Sequence, residues 1–249
     1  MGCVTYEQEG YVGKITLNRP KVLNALNRKL LLELKTVLRE VDLNQTRCLI
    51  LTGAGERAFA AGADIGEMSS FSKEEGRTFS ACGNDIFLEL ENFPIPIIAA
   101  INGLALGGGC ELAISCDIRI CTEETKFGQP EVCFGITPGF GGTQRLARIV
   151  GSGKAKELIY TGSTIDGKEA YRIGLVNGLY GKEELMEAAS RLAKTIGDNP
   201  PVAVQNSKYA INKGCHMEMK EAIKIEEKVF GNCFETKDQQ EAMAAFLKK

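Results

Sequence analysis

The sequence predicts a parallel α/β core followed by a helical C-terminal part, and three observations lead to that class. Residues 48–52 (CLILT), 97–101 (IIAAI) and 117–121 (DIRIC) are short, continuous apolar runs, as strands covered on both faces require. Glycine-marked turns and helical stretches of roughly ten to eighteen residues lie between them, the alternation of a parallel sheet. From about Gly139 onward the helical period takes over.

The elements follow in order. Residues 11–18 alternate apolar and polar and stop at Arg19-Pro20, so they read as a strand. Leu26, Leu30, Leu31, Leu34, Val37, Leu38 and Val41 recur at helical spacing, which predicts an amphipathic helix over 27–42. The stretch 76–92 (GRTFSACGNDIFLELEN) reads as a further helix without a Lys/Arg stripe. Beyond Gly139, helices are expected over 144–150, 154–160, 168–172, 183–196, 202–212, 218–230 and 238–247, most of them separated by turns with Gly or Pro. The organisation expected is an α/β core over 1–195 and a helical region over 196–249, with no low-complexity linker and no repeat of residue identity.

Composition narrows the function classes. A net charge of −2 and a pI near 5.7 give no overall field that would favour nucleic acid or an anionic membrane. The N-terminus lacks the basic-then-apolar layout of a signal peptide, position 6 is Tyr where a myristoylation signal has Ser or Thr, and the apolar runs are too short to span a bilayer. The expected location is the cytoplasm. The nine cysteines are an odd number, and Cys110, Cys116 and Cys121 sit in apolar stretches, as buried thiols in a reducing compartment would. Their spacing is not that of a zinc site. The single histidine, His216, lies in a polar stretch and reads as an exposed helix-end residue, which argues against a Ser-His or Cys-His triad.

The glycines carry more information. Gly53-x-Gly55-x-x-Ala58 after the 48–52 strand imitates a dinucleotide loop, but Gly62 falls where the required helix would be growing, so a plain turn is preferred. At Gly62-Ala63-Asp64, Asp64 is placed to cap a helix beginning IGEM. A second glycine turn, Gly107-Gly108-Gly109, follows the 97–101 strand and precedes the apolar stretch CELAIS. Three successive glycines cost conformational entropy. Tight packing accounts for such a turn, above all at Gly107 and Gly109, and so does a ligand atom that must meet bare backbone N–H groups. Two such turns in one chain are able to supply two donors, as in an oxyanion hole.

Glu111 and Glu131 sit among glycine and hydrophobic residues, where a carboxylate is costly unless paired or functional. Either one alone is equally compatible with a helix cap or a surface position. Taken together they suit acid/base chemistry, since two close carboxyls in an apolar pocket do not both ionise readily.

The segments NRPKVLNALN, FAAGADIGEM, NGLALGGGCELAISCDIRI, FGQPEVCFGITPGFGGTQRLARIVG and FETKDQQEAMAAF resemble, in order and over nearly the whole chain, the crotonase (enoyl-CoA hydratase/isomerase) family, in particular its bacterial short-chain members. The resemblance implies a spiral of β-β-α units with a helical C-terminal trimerisation region, usually built into a homohexamer that is a dimer of trimers. It implies an acyl-CoA thioester as substrate and no metal or redox cofactor, coenzyme A being part of the substrate. The roles it implies are Glu111 and Glu131 as catalytic carboxyls sharing one water, Ala63 and Gly108 as oxyanion-hole N–H donors, and Gly139 as a backbone contact to the water. CoA contacts are implied at Val22, Leu23, Ala61, Asp64 and Ile65. Isomerases, decarboxylases and dehalogenases of the superfamily commonly lack one or both glutamates, so the intact pair implies hydration of a short 2-enoyl-CoA, with a 3,2-enoyl-CoA isomerase as the next reading. The sequence departs from animal relatives at Gly66, often Lys there, and at its end, FLKK, which lacks a longer basic tail.

Overall fold

The computed structural model describes residues 2–248. Its strands are β1 (Val4–Glu9), β2 (Val12–Leu17), β3 (Cys48–Gly53), β4 (Ala58–Ala60), β5 (Ile97–Ile101), β6 (Leu104–Leu106), β7 (Ile118–Thr122), β8 (Lys126–Gly128), β9 (Thr164–Asp166) and β10 (Gly178–Tyr180). They form a six-stranded sheet, β1-β2-β3-β5-β7-β10, and a four-stranded sheet, β4-β6-β8-β9. From β2 to β10 the large sheet is parallel. In the small sheet β4, β6 and β8 are parallel, and β9 closes it antiparallel.

Three times the chain runs from a strand of the large sheet into a short strand of the small one: β3 to β4, β5 to β6, and β7 to β8. Helical structure follows each passage. After β4 come α1's successors in the chain, and α1 itself (Arg28–Glu40) precedes β3; they are α2 (Ile65–Met68) and α3 (Lys73–Glu91). After β6 comes α4 (Gly108–Ile114), and after β8 a 3-10 turn, Pro130–Phe134. This is the β-β-α spiral that the family resemblance implied. Each β-β corner carries one strand out of the plane of the first sheet, so the repeat is one of geometry rather than of residue identity.

The continuous apolar runs are explained by what covers them. Cys48 and Ile50 of β3, Ile98 and Ala100 of β5, and Ile120 of β7 pack with Leu185, Ala188, Ala189 and Ala193 of a helix further along the chain, Leu185–Gly197. The alternate residues Leu49, Leu51, Ile97, Ala99 and Ile101 face the main core with Leu30, Leu34 and Leu38 of α1 and Phe79, Ile86 and Phe87 of α3. Both faces are dry, so both sets of side chains are apolar. The amphipathic period of 27–42 likewise becomes α1, with Asn27 as its N-cap accepting from Leu30 N–H at 2.9 Å.

Several elements escape sequence reasoning. Strands β4, β6, β8, β9 and β10 are three residues each, too short to display a period of two. β1 is an edge strand whose residues VTYEQE are largely exposed toward the turn.

After β8 the chain is mainly helical: α5 (Gly142–Val150), α6 (Ser152–Thr161), α7 (Gly167–Arg172), α8 (Leu185–Gly197), α9 (Pro201–Gly214), α10 (Met219–Cys233) and α11 (Lys237–Leu247). A buried lysine fastens α9 to the sheet: Lys208 Nζ donates to Asp117 Oδ2 at 2.7 Å and to Ile95 O at 3.1 Å. The C-terminal helices leave Ile223 and Phe230 exposed, the latter by 65%. Val229, on the same helix, is instead buried within the chain beside Asn206 of α9, whose amide donates to its carbonyl. Among the described residues, no helix is long and apolar enough to cross a membrane.

Candidate active site

A cleft of about 720 Å³ opens where β4 and β6 end, between α2, α3, α4, the Pro130–Phe134 turn and the loop 135–140. Ala61, Ala63, Ile65, Gly108, Glu111, Glu131 and Gly139 all line it. These come from five separate elements, brought together by the spiral.

The three glycines turn out to have three different reasons. Gly107 has φ +48°, the left-handed side that disfavours a Cβ, and a Cβ there would stand 2.5 Å from Glu131 Oε1. Gly109 is a packing glycine, because its Cβ would collide with the Ala60 carbonyl. Gly108 faces the cleft: a Cβ there would lie 3.1 Å from the Phe140 ring and 3.3 Å from Ala63 N. The two glycine turns therefore place Gly108 and Ala63 side by side. Neither the Ala63 N–H nor the Gly108 N–H donates to a protein acceptor among the described residues. Gly108 is the first residue of α4, where the N–H has no partner within the helix. The arrangement is two open donors at one spot, beside a helix N-terminus.

Glu111 is 1% exposed, and its Oε1 accepts from Phe140 N–H at 2.8 Å and Gly142 N–H at 2.7 Å. Burial pushes its carboxyl up from the ordinary range; the Gly142 and Phe140 N–H groups, the Arg145 guanidinium and the Gly139 N–H pull it back. Glu131, on the 3-10 turn, is pushed up to about 7 by burial and by the Glu111 charge. The side chain of Gln129 is wholly buried, and with its amide nitrogen turned toward Glu131 it donates to both carboxyl oxygens at 3.2 and 3.1 Å. The opposite amide orientation would face oxygen to oxygen. The two environments differ: fixed backbone N–H groups hold Glu111, a side-chain amide holds Glu131, and burial pushes both carboxyls up, Glu131 to about 7.

The remaining expected residues stand further off. Val22 and Leu23 lie outside the cleft lining, although Leu23 O accepts from Ala61 N–H at 3.0 Å, next to the mouth. Asp64 sits at the N-cap position of α2, but its side chain does not cap that four-residue helix. It pairs with Arg19 at 3.0 Å instead, because Arg19 reaches across from the Pro20–Val22 turn and offers a charge where the helix offers only N–H groups. His216 is exposed in the turn between α9 and α10, away from the cleft, and the Gly53–Ala58 segment leads into β4 rather than a helix. All nine cysteines are unpaired, and among the described residues no cluster of His, Cys, Asp and Glu has a metal-holding arrangement.

Sequence reasoning missed the supports: Gln129, Arg145 and two side chains of α3. Arg145 is buried; it binds Glu91 through Nε and Nη2 at 3.0 and 2.8 Å and donates from Nη1 to Phe140 O at 3.1 Å. Its signal was an arginine one turn into an otherwise amphipathic helix, which reads as surface until the fold buries it.

Comparison with known proteins places the chain in a family. The sequence model described as Enoyl-CoA hydratase/isomerase matches residues 7–249. The chain is 53% identical to a short-chain-enoyl-CoA hydratase of Clostridium acetobutylicum, over 99% of this chain and 95% of that protein. It is 49% identical to a crotonyl-CoA hydratase of Syntrophomonas wolfei, with the same two coverages. A crystal structure of an enoyl-CoA hydratase from Bacillus anthracis superposes with a TM-score of 0.96 at 40% identity, covering 99% of this chain and 96% of that one. With the spiral of β-β-α units, the paired glutamates and a family match over all but the first six residues, the chain belongs to the enoyl-CoA hydratase/isomerase (crotonase) family.

Proposed function

We propose that the chain catalyses the reversible addition of water to a short-chain trans-2-enoyl-CoA, crotonyl-CoA to 3-hydroxybutyryl-CoA. The observation that carries this reading is a single cleft holding two unlike carboxyls, Glu111 and Glu131, next to the open N–H groups of Ala63 and Gly108. The thioester oxygen accepts from those two N–H groups, which stabilise the negative charge that develops on it. Glu111, as carboxylate, takes a proton from water while the water oxygen bonds to C3. The C2–C3 π electrons move toward C2 and the thioester, and C2 takes the proton of Glu131. One water is consumed, and proton exchange through the site restores Glu111 as carboxylate and Glu131 as acid. Dehydration runs the same steps backward, since the equilibrium does not belong to the catalyst. The relatives' names support the substrate class, and the Gly139 N–H near Glu111 fits a backbone that helps hold the water.

Ala61 and Ile65 at the cleft, with Val22 and Leu23 beside its mouth, are the proposed contacts to the CoA moiety; Asp64 contributes by fixing Arg19 and the 19–25 turn. All the acid, base and oxyanion groups of this scheme come from the chain itself. Turnover of crotonyl-CoA, followed by loss of the conjugated enoyl absorbance, is therefore expected without added metal or nucleotide. Activity abolished by dialysis against a chelator and restored by zinc or magnesium would overturn the scheme.

We further propose a homohexamer, a dimer of trimers, and a cytoplasmic location. The exposed Ile211, Met219, Ile223, Phe230 and Phe246 on α9 to α11 support assembly, because apolar side chains gathered on one region favour contact with another copy. Nine unpaired thiols suit a reducing compartment. Light scattering is expected to show the mass of six chains; a stable, active monomer would refute the assembly.

A further inference from the structure

The loop that holds Glu111 is itself held, from the side away from the carboxylate. A trans peptide unit carries its C=O and N–H on opposite edges, so fixing the carbonyl also fixes where the N–H points. Two peptide units donate to Glu111. In the Gly141–Gly142 unit, the Gly141 carbonyl accepts from the N–H groups of Gln144 and Arg145, so the first turn of α5 sets its direction. No helix does this for the Gly139–Phe140 unit. Its carbonyl accepts instead from two side chains of α3, Asn84 Nδ2 at 2.8 Å and Ser80 Oγ at 2.5 Å. Asn84 Nδ2 also donates to Ser80 O at 3.0 Å, one turn back in its own helix, which locks the amide in place.

The surrounding face of α3 is built for this contact. Phe79, Gly83 and Phe87 share it with Ser80 and Asn84. A Cβ at Gly83 would collide with the Phe140 ring, and the rings of Phe79 and Phe87 meet that ring edge-on with centroids 5.2 and 5.5 Å away. The apolar groups seat the Phe140 side chain, and the two polar groups seat the backbone just before it.

We propose that Asn84, supported by Ser80, is a positioning residue for the hydration: it orients the Gly139–Phe140 peptide so that the Phe140 N–H stays on Glu111. The inference rests on the hydratase reading of the cleft. In a buried site, a carboxylate that loses an N–H donor is more easily protonated, and a protonated Glu111 no longer accepts the proton of water. The other charged or titratable groups around Glu111 are Glu131 on the 3-10 turn, Cys110 beside it on α4, and Arg145 on α5, which Glu91 of α3 holds. Replacing Asn84 removes none of them.

The test uses full-length Asn84→Ala, with Asn84→Leu as a second variant that restores volume without a donor. On crotonyl-CoA, kcat is expected to fall on the order of tenfold, as for a modest misplacement of a catalytic group. KM should stay within about twofold, because the group affected acts in the chemical step. The acid limb of the kcat–pH profile should move to higher pH. Independently of substrate, the 13C-carboxyl signal of Glu111, assigned by its loss in Glu111→Gln, should titrate at higher pH in the Asn84 variants than in the wild type. Folded variants with unchanged kcat and unchanged titration would overturn the proposal. So would a fall in kcat and in Tm with the titration unmoved, which is the result for packing alone. A shifted titration in a protein that hydrates no enoyl-CoA would leave the positioning of Glu111 standing and bring down the hydratase reading instead.

Discussion

Glu111→Gln and Glu131→Gln are each expected to fold, to retain acyl-CoA binding and to lose roughly 10²-fold or more in turnover, the range of general acid–base catalysis. Glutamine keeps the shape of each side chain and removes its proton-transfer capacity. At Glu111 the oxygen that accepts from Phe140 and Gly142 N–H can be retained, so the loop should keep its place. In the proposed scheme the two carboxyls serve one water, so the double variant should be much less impaired than the product of the two single losses. Strictly multiplicative losses would point to separate tasks and favour the 3,2-enoyl-CoA isomerase reading, in which one base moves a proton between carbons. The wild type should also place solvent deuterium at C2 of the product, since Glu131 exchanges its proton with water. The pH dependence has a definite sign. Glu131 must carry its proton, and its carboxyl is pushed up to about 7, so hydration should decline as pH rises above that value; it should decline on the acid side when Glu111 is protonated. Because the groups are coupled, the two limbs belong to the pair. A turnover rate that stays flat through that range would contradict the assignment of Glu131 as the acid.

Gly108→Val should cost on the order of 10²-fold or more in kcat, by the measure of losing an oxyanion donor. A Cβ at this position would already sit 3.1 Å from the Phe140 ring and 3.3 Å from Ala63 N, tighter than ordinary contact. The two methyls of valine would crowd the space that the proposed scheme gives to the thioester oxygen between both N–H groups. Gly108→Ala, which adds only the Cβ, should fall between wild type and valine. Gly109→Ala provides the contrast: its Cβ meets the Ala60 carbonyl, so the expected loss is in folding stability, read as a lowered Tm. A folded Gly108→Val variant with near-normal turnover would show that Gly108, too, is only packing.

Much of the molecule was legible in the chain. The runs 48–52, 97–101 and 117–121 read correctly as strands covered on both faces, because burial on two sides removes the polar alternation that an exposed face would impose. Seven helices after Gly139 were visible for the complementary reason, a one-sided apolar stripe at helical spacing. The local sequence also singled out Glu111, Glu131 and both glycine turns, since carboxylates among hydrophobic residues and three adjacent glycines are costly enough to need a cause.

What remained hidden depends on contacts between residues distant in sequence. Four three-residue strands make up the second sheet and exist only because neighbouring strands pair with them, so that sheet has no local signature. Asp64 reads as a helix cap until Arg19 arrives from 45 residues away and takes its carboxylate. Val229 is buried while its neighbours Ile223 and Phe230 on the same helix stay exposed, because α9 packs over it. Ser80 and Asn84 sit one turn apart on the Phe79–Gly83–Phe87 face of α3, and polar side chains on a buried face were the one sign of their role. Their partner, the Gly139 carbonyl, lies 55 residues beyond Asn84. Side-chain chemistry and local period follow from the sequence by itself, because each residue carries them wherever it goes. Which oxygen meets which N–H, and hence how far each glutamate is pushed toward its protonated form, was decided only when the spiral brought α3, α4 and the 138–142 loop together, since burial and hydrogen bonding are properties of the assembled surroundings.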